Sequence, residues 1–235
     1  MTFIINKAPV HTDPIETTGV TFGYDRNPVF DGFTTTITPR ALTVLVGSNG
    51  SGKSTLLGLL AGVLHPHRGT VRVGARDIAL AVQRSQVTDT FPITAAEAVM
   101  MGRWRRLGLL RRPRAGDRAV VDHWLGELGL DDVRHRTLGE LSGGQRQRVL
   151  LAQTFAQEAS VLLLDEPTTG LDATTADLVI SHLRRMTADG ATVVAATHDQ
   201  AVVSAADHRI DLDEVPSAIH SPHADGDGRS QRRPG

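Results

Sequence analysis

Nine consecutive residues, numbers 47 to 55, have the composition and spacing of a loop that binds phosphate groups. The segment reads G-S-N-G-S-G-K-S-T and fits the pattern G-x-x-x-x-G-K-[ST] between an apolar strand and a helix, the context which that motif requires. Glycines let the chain curl so that successive N–H groups point at phosphate oxygens, and the helix N-terminus adds partial positive charge. The predicted nucleotide contacts are Gly47, Ser48, Asn49, Gly50, Ser51, Gly52, Lys53, Ser54 and Thr55.

Two side chains of this loop have separate predicted roles. Lys53 would reach the β- and γ-phosphates, and the Ser54 hydroxyl would be a ligand of Mg²⁺. Of the 25 basic residues only Lys7 and Lys53 are lysines. In a chain that otherwise uses arginine, a lysine at this position indicates a task that needs a compact ammonium group rather than a planar guanidinium.

Two acidic residues follow the apolar run Val161–Leu164, which is typical of a buried strand. Asp165 falls at the carboxyl end of that strand, where open α/β sheets bind ligands, and it can hold Mg²⁺ directly or through water. Glu166, one residue later, is a candidate general base for a water that attacks the γ-phosphate in line. Acids at strand ends are often only solvated, but the presence of a phosphate loop favours the catalytic interpretation.

A second segment with the ingredients of an anion site, L-S-G-G-Q, spans residues 141–145. Ser142 is a favoured helix N-cap, and the amides of Gly143 and Gly144 would open a helix whose N-terminus attracts anions. A helix cap without a ligand is the alternative.

The elements that must position these residues alternate between helices and strands. Apolar strands at 42–46, 161–165 and 192–196 alternate with helices at 54–61 and 173–188, which predicts an α/β fold with a largely parallel sheet covered on both faces. Further strands are predicted near 15–22, 33–38, 70–74 and 78–82. The stretch from about 93 to 157 is mostly helical and predicts an inserted helical subdomain.

The order of the phosphate loop, L-S-G-G-Q and L-L-L-D-E-P resembles that of the nucleotide-binding subunits of ATP-binding-cassette (ABC) proteins, over about residues 15–212. The resemblance implies an α/β P-loop NTPase core with an N-terminal antiparallel β part, and ATP and Mg²⁺ as cofactors. It divides the chain into an extension at 1–14 and an ATPase domain at 15–213 with its helical subdomain at about 90–157. The residues from 214 to 235 have few apolar side chains to bury, which predicts a disordered tail.

The resemblance also implies roles for residues outside the phosphate loop. Tyr24 would stack on adenine, Gln83 would contact Mg²⁺ and the attacking water, and His198 would contact the γ-phosphate. Each has a plainer alternative, respectively a core aromatic, a loop glutamine and a structural histidine. The implied catalytic set is Glu166, His198 and Gln83; the implied Mg²⁺ ligands are Ser54, Gln83 and Asp165; and the residues implied to face the nucleotide of a second copy are Ser142, Gly143, Gly144, Gln145 and Asp172.

Composition limits the partners and location that we expect. The net charge of −1 gives no reason to expect nucleic-acid binding, and the start of the chain is not a secretory signal. Apolar runs are far shorter than the roughly 18 residues that cross a bilayer. We therefore expect no membrane-spanning segment in this chain. The resemblance implies a peripheral subunit on the cytoplasmic face of the membrane, paired head to tail with a second copy, bound to separate permease subunits and indirectly served by a substrate-binding protein.

The transported cargo is indicated more weakly than the ATPase site. Segment 91–103 and the run 104–114 resemble the corresponding part of importers of zinc, manganese and iron chelates, and within these segment 154–160 resembles the zinc and manganese group most. The alternatives are an iron-chelate importer or an ABC ATPase that does not serve transport. Seven arginines between 103 and 118 oppose a single acid, Asp117. We expect this arginine segment to meet anionic lipid or acidic permease loops, with a solvated face or a nucleic-acid patch as the alternatives.

Overall fold

The computed structural model describes residues 13–25, 27–75, 77–81, 92–107 and 112–214. Gln83 and Arg111 lie outside these ranges, as do nearly all of the predicted N-terminal extension and C-terminal tail. Within the described ranges, no helix combines the length and the apolar character that a membrane span requires.

The described ranges contain eight strands, seven α-helices and two short 3-10 helices at Asp131–Val133 and Leu138–Glu140. The strands are β1 (Ile15–Tyr24), β2 (Asn27–Ile37), β3 (Leu42–Val46), β4 (Arg68–Arg72), β5 (Ile78–Ala81), β6 (Val161–Asp165), β7 (Thr192–Ala196) and β8 (His208–Asp211). The helices are α1 (Lys53–Leu60), α2 (Ala95–Met101), α3 (Trp104–Leu107), α4 (Ala115–Glu127), α5 (Gly143–Phe155), α6 (Ala173–Ala188) and α7 (Gln200–Ala205).

The strands form two sheets. Five strands in the order β5-β6-β7-β3-β8 pair in parallel, and three in the order β2-β1-β4 pair antiparallel. This arrangement confirms the predicted α/β fold with a mostly parallel sheet and an antiparallel part. In the parallel sheet Ala196 lies opposite both Leu45 and Asp165, so β3, β6 and β7 end at the same edge. The loops that carry the predicted site residues therefore leave the sheet together.

Apolar side chains cover the parallel sheet on both faces. Along β6, Leu162 and Leu164 belong to a cluster that includes α2, α4, α5 and α6, whereas Val161 and Leu163 belong to a cluster with α1 and the antiparallel sheet. All five residues of β6 are buried. A strand buried on both faces is continuously apolar, which is why it could be recognised in the sequence.

The second strand differs from its prediction because its alternation of apolar and polar residues is interrupted. It begins at Asn27 rather than near 33, and it contains Gly32 with φ of +71°. Val29 and Phe30 are both buried although they are adjacent, and the register against β1 shifts between the pair Val20–Phe33 and the pair Phe22–Phe30. Such a bulge removes the period-two signal on which the strand prediction depends.

One arginine of the predicted basic segment is buried, whereas the arginines at 105, 106, 112, 114 and 118 are exposed. Arg103 is only 5% exposed; it donates to a carboxylate oxygen of Asp117 at 3.2 Å and to one of Glu158 at 2.8 Å. Arg106 also donates to Glu158, at 2.7 Å. These two arginines connect α3 and the residue before it to the loop that precedes β6. Arg112, Arg114 and Arg118 are exposed and remain candidates for contacts with anionic groups.

Replacing Arg103 by methionine is expected to lower the free energy of unfolding by about 3 kcal/mol, because removal of one partner of a buried ion pair typically costs about 3–5 kcal/mol. Arg106 still neutralises part of the Glu158 charge, so the lower end of that range applies. For a chain of this size we expect the melting temperature to fall by about 6–12 °C. The control Arg118→Met removes an exposed arginine of α4, and an equal loss of stability in both variants would contradict the assigned role.

Candidate functional site

The loop between β3 and α1 has a glycine-rich backbone conformation that is compatible with phosphate binding. Gly47, Gly50 and Gly52 have φ values of +146°, +89° and +98°, which other residue types rarely adopt, and Gly52 is the N-cap of α1. Lys53 donates from Nζ to the carbonyl oxygens of Gly47 and Ser48 at 2.7 and 2.9 Å. The lysine side chain therefore folds over the loop, beside the N–H groups that would cradle phosphate.

One residue that touches the phosphate loop was not found by sequence reasoning. Asp213 accepts hydrogen bonds from the backbone N–H of Ser48 at 2.7 Å and from its hydroxyl at 2.9 Å. The two residues are 165 positions apart, and no motif relates them. Only the parallel pairing of β8 with β3 brings them together.

Ser54 and Asp165 are adjacent, as the predicted Mg²⁺ site requires. Burial raises the pKa of the Asp165 carboxyl above its usual range, and the hydrogen bond from the Ser54 hydroxyl acts in the opposite direction. The negative charge of Glu166 further raises this pKa, and the positive charge of Lys53 lowers it. A carboxylate and a hydroxyl are oxygen ligands of the kind that Mg²⁺ prefers, so these residues fit the ion. Gln83, the third predicted ligand, is outside the described residues.

Glu166 is held in a strained backbone conformation at the end of β6. Its φ is +52°, in the left-handed region, and its N–H donates to the carbonyl oxygen of Ala196 at 2.8 Å. A non-glycine residue in this conformation costs about 1–3 kcal/mol, and such strain is concentrated at functional sites.

The Glu166 carboxylate has two side-chain partners. Oε1 lies 2.8 Å from Nδ1 of His198, and the hydroxyl of Thr169 donates to Oε2 at 3.2 Å. Because an ionised carboxylate only accepts hydrogen bonds, Nδ1 of His198 must carry a proton in this contact. The Glu166 side chain is 10% exposed and the His198 side chain 78% exposed. The sequence-predicted pair of base and histidine is therefore assembled, with the histidine at the open side.

Tyr24 lies at the end of β1 with its ring accessible. The residue is 49% exposed, its ring meets that of Phe22 edge-to-face at 5.1 Å, and its hydroxyl lies 3.4 Å from the Thr55 hydroxyl. The structure thus brings Tyr24 to the first turn of α1 and leaves the ring free to stack. This position is compatible with the predicted contact to adenine.

The L-S-G-G-Q segment forms the start of α5. The Ser142 hydroxyl accepts from the N–H of Gln145 at 3.2 Å, and Oε1 of Gln145 accepts from the N–H of Ser142 at 3.0 Å. This reciprocal capping box fixes the helix N-terminus. A Cβ built on Gly143 would meet no atom within 4 Å, so the space before this helix end is open.

The structure does not bring this second anion-type site to the phosphate loop of the same chain. Helix α1 packs mainly on β4, β6 and β7, whereas α5 packs mainly on α2, α4 and β5. Among the described residues, no hydrogen bond joins 142–145 to 47–55. Helix α5 instead approaches the end of β6, because Nε2 of Gln147 donates to the carbonyl oxygen of Glu166 at 3.4 Å.

Asp172 is the N-cap of α6. Its carboxylate accepts from the Thr175 N–H at 3.0 Å and from the Thr175 hydroxyl at 2.7 Å, and these bonds lower the pKa of Asp172. Two residues earlier, the carbonyl oxygen of Gly170 lies 3.0 Å from the position of a Cβ on Gly144. The residues predicted to face a second copy, 142–145 and Asp172, are thus connected through this close approach.

Comparison with known proteins agrees with the geometry. The profile of the family described as ABC transporter matches residues 30–169. The chain is 39% identical to a manganese transport system ATP-binding protein of Synechocystis sp., over 86% of this chain and 81% of that protein. It is 34% identical to a zinc transport system ATP-binding protein of Treponema pallidum, over 81% of this chain and 74% of that protein.

Solved structures of ABC transporter proteins are also similar to this chain. A transporter assigned to the metal-chelate type of ABC transporter, in an inward-facing conformation, has a TM-score of 0.73 and 31% identity, covering 85% of this chain and 79% of that chain. A bacterial ABC transporter cassette solved as a dimer has a TM-score of 0.73 and 25% identity, covering 84% of this chain and 94% of that chain.

Proposed function

Because the chain belongs to the ATPase family of ABC transporters, we propose that it is the ATP-hydrolysing subunit of an importer of manganese or zinc ions. The observation that carries the choice of metal is the similarity, over most of the chain, to the manganese and zinc transport proteins named above. This similarity favours metal import over an iron-chelate importer and over an ABC ATPase that does not serve transport.

The nucleotide would bind with its phosphates on the loop 47–55. The left-handed glycines and the N-terminus of α1 supply N–H donors, and Lys53 supplies a positive charge. Tyr24 would stack on the adenine ring. Ser54, Asp165 and Gln83 would hold Mg²⁺, which when bound neutralises charge on the β- and γ-phosphate oxygens.

Hydrolysis would depend on Glu166. Its carboxylate accepts a proton from a water molecule as the water oxygen forms a bond to the γ-phosphorus, and the bond from that phosphorus to the β–γ bridging oxygen breaks. ADP leaves with the bridging oxygen, and phosphate leaves with the oxygen of the water. His198 and Thr169 orient the carboxylate for this step. His198 would then contact the γ-phosphate from the open side.

A second copy of the chain would complete each site. ATP on the loop of one copy would meet Ser142, Gly143, Gly144, Gln145 and Asp172 of the other, since these residues form an open helix N-terminus away from their own loop. ATP would favour the closed dimer because only closure brings both sets of groups to the γ-phosphate. Hydrolysis removes that preference, and the dimer reopens.

The dimer would act on separate permease subunits from the cytoplasmic face of the membrane. The helical segment 92–157 would transmit the opening and closing to the permease, and a substrate-binding protein would deliver the metal ion on the other side. The absence of bulk positive charge gives no reason to add nucleic acid to these partners.

Deleting the gene from its source organism is expected to lower uptake of radioactive manganese or zinc several-fold in metal-limited medium. The wild-type gene should restore uptake, and a gene carrying Lys53→Ala should not, because the variant lacks the charge that holds the phosphates. Retained uptake of both metals with a loss of iron-chelate uptake would contradict the proposed cargo. Retained uptake of all three would contradict a role in metal import.

A further inference from the structure

Asp213 has a fixed position beside the start of the phosphate loop. Past the end of β8, the N–H of Leu212 donates to the carbonyl oxygen of Val46 at 2.9 Å, and the Leu212 side chain is buried in the apolar cluster. The next residue must therefore lie beside Gly47. A Cβ on Gly47 would lie 3.3 Å from Oδ1 of Asp213, so the carboxylate is packed against the loop backbone.

The three polar groups of Ser48 are all occupied. Asp213 accepts from its N–H and its hydroxyl, and Lys53 donates to its carbonyl oxygen. The first turn of the loop is thus held by a carboxylate on one side and by the phosphate-binding lysine on the other. Hydrogen bonds that a carboxylate accepts are stronger than hydrogen bonds between two neutral groups, and two of them together fix the geometry of the turn.

A carboxylate at this edge of the sheet has two opposing effects on a bound triphosphate. Its negative charge repels the phosphates, and the hydrogen bonds that it accepts fix the loop in its binding conformation. The two effects predict opposite changes in ATP affinity when the carboxylate is removed. Removing only the charge tightens ATP binding, and removing the hydrogen bonds weakens it.

We propose that Asp213 is a positioning residue of the phosphate loop, which through Ser48 keeps the loop in the conformation that binds ATP. This inference depends on the proposed ATPase function. It adds a residue from the end of the ATPase domain to a site otherwise built from β1, β3, β6, β7 and their following loops.

The test measures ATP affinity of the isolated full-length chain by titration calorimetry, and kcat and KM for hydrolysis. Asp213→Ala is expected to weaken ATP binding about five- to tenfold, as loss of one or two partly exposed hydrogen bonds does. We expect kcat at saturating ATP to change by less than about twofold, because the contact stabilises the bound ground state and the transition state equally.

Three further variants separate positioning from charge and from folding. Asp213→Asn keeps an acceptor for the Ser48 N–H and should restore most of the affinity. Glu214→Ala removes the neighbouring acid, which is exposed, and it should leave ATP affinity unchanged or slightly tighter. In the double variant Ser48→Ala/Asp213→Ala, the loss of ATP affinity should be smaller than the sum of the losses in the two single variants, because the two residues share one interaction.

Equal or tighter ATP binding by Asp213→Ala, with a melting temperature like that of the wild type, would overturn the inference. A weakening of the same size in Asp213→Asn would also overturn it, because the hydrogen bonds would then not be the cause. If instead the wild-type chain itself fails to bind ATP, the proposed function fails, and the inference that depends on it fails with it.

Discussion

Replacing Glu166 by glutamine is expected to lower kcat for ATP hydrolysis about 10²–10⁴-fold, the usual contribution of a general base. Glutamine has the same shape and can still accept a hydrogen bond from Nδ1 of His198, so the loop geometry should persist. It cannot take the proton of the attacking water. Because the phosphate loop is untouched, ATP binding should remain.

The substitution should also relieve an unfavourable contact. The charge of Glu166 contributes to the raised pKa of the buried Asp165 carboxyl, so a neutral side chain at 166 should let this pKa fall toward its usual range. The variant is therefore expected to be at least as stable as the wild type. ATP that binds and is not hydrolysed should hold the chain in its closed dimer, which size-exclusion chromatography with ATP would detect.

The matched control is Glu16→Gln, which changes an acid on the antiparallel sheet whose ion pair with Arg72 is exposed. It should hydrolyse ATP at close to the wild-type rate, since exposed ion pairs contribute little. Wild-type turnover in Glu166→Gln would show that another group takes the proton. A loss of ATP binding in that variant would instead show that Glu166 supports the nucleotide site itself.

The parts of the site that the sequence predicts are those whose positions are set by neighbouring residues. The loop 47–55 follows directly on the buried strand β3 and opens α1, and Asp165 and Glu166 follow directly on β6. Ser142 is recognisable as a cap because the residue that completes its capping box, Gln145, is three positions away. In each case a short stretch of sequence contains both the element and the residue that it positions.

The features that the sequence does not predict arise from contacts between distant segments. Asp213 meets Ser48 only because β8 pairs with β3. The four residues of β8 include charged ones, so the sequence does not show the apolar pattern by which a strand is recognised. Arg103 belongs to an arginine-rich stretch typical of an exposed face, yet Glu158 lies buried beside it. A charge pattern cannot show which of several arginines will find a buried carboxylate, because the partner is fixed by tertiary packing.

Replacing Gly143 by aspartate is expected to lower ATP hydrolysis about a hundredfold or more while ATP still binds the monomer. The new carboxylate would lie at the start of α5, where the γ-phosphate of the partner-bound ATP is proposed to sit, and would repel it instead of donating a hydrogen bond. The monomer should tolerate the change, because a Cβ at this position meets no atom and an acid in a first helical turn is favourable.

Gly116→Asp is the matched control for this substitution. Gly116 also lies in the first turn of a helix, α4, and a Cβ there also meets no atom within 4 Å. The control should therefore retain both ATP binding and hydrolysis. A similar loss in both variants would mean that an added charge on the helical segment, and not its position at 143, causes the defect.

Mixing two inactive variants tests whether the L-S-G-G-Q segment serves the other copy. In a head-to-tail pair of one Gly143→Asp chain and one Glu166→Gln chain, one site combines both defects and the other combines none. Random pairing of equal amounts should then restore about one quarter of wild-type hydrolysis, since half of the dimers are mixed and each has one intact site. If the segment serves the nucleotide of its own chain, every site keeps one defect and mixing restores nothing. Recovery on mixing would thus assign Gly143 to the partner's nucleotide without any structure of the dimer.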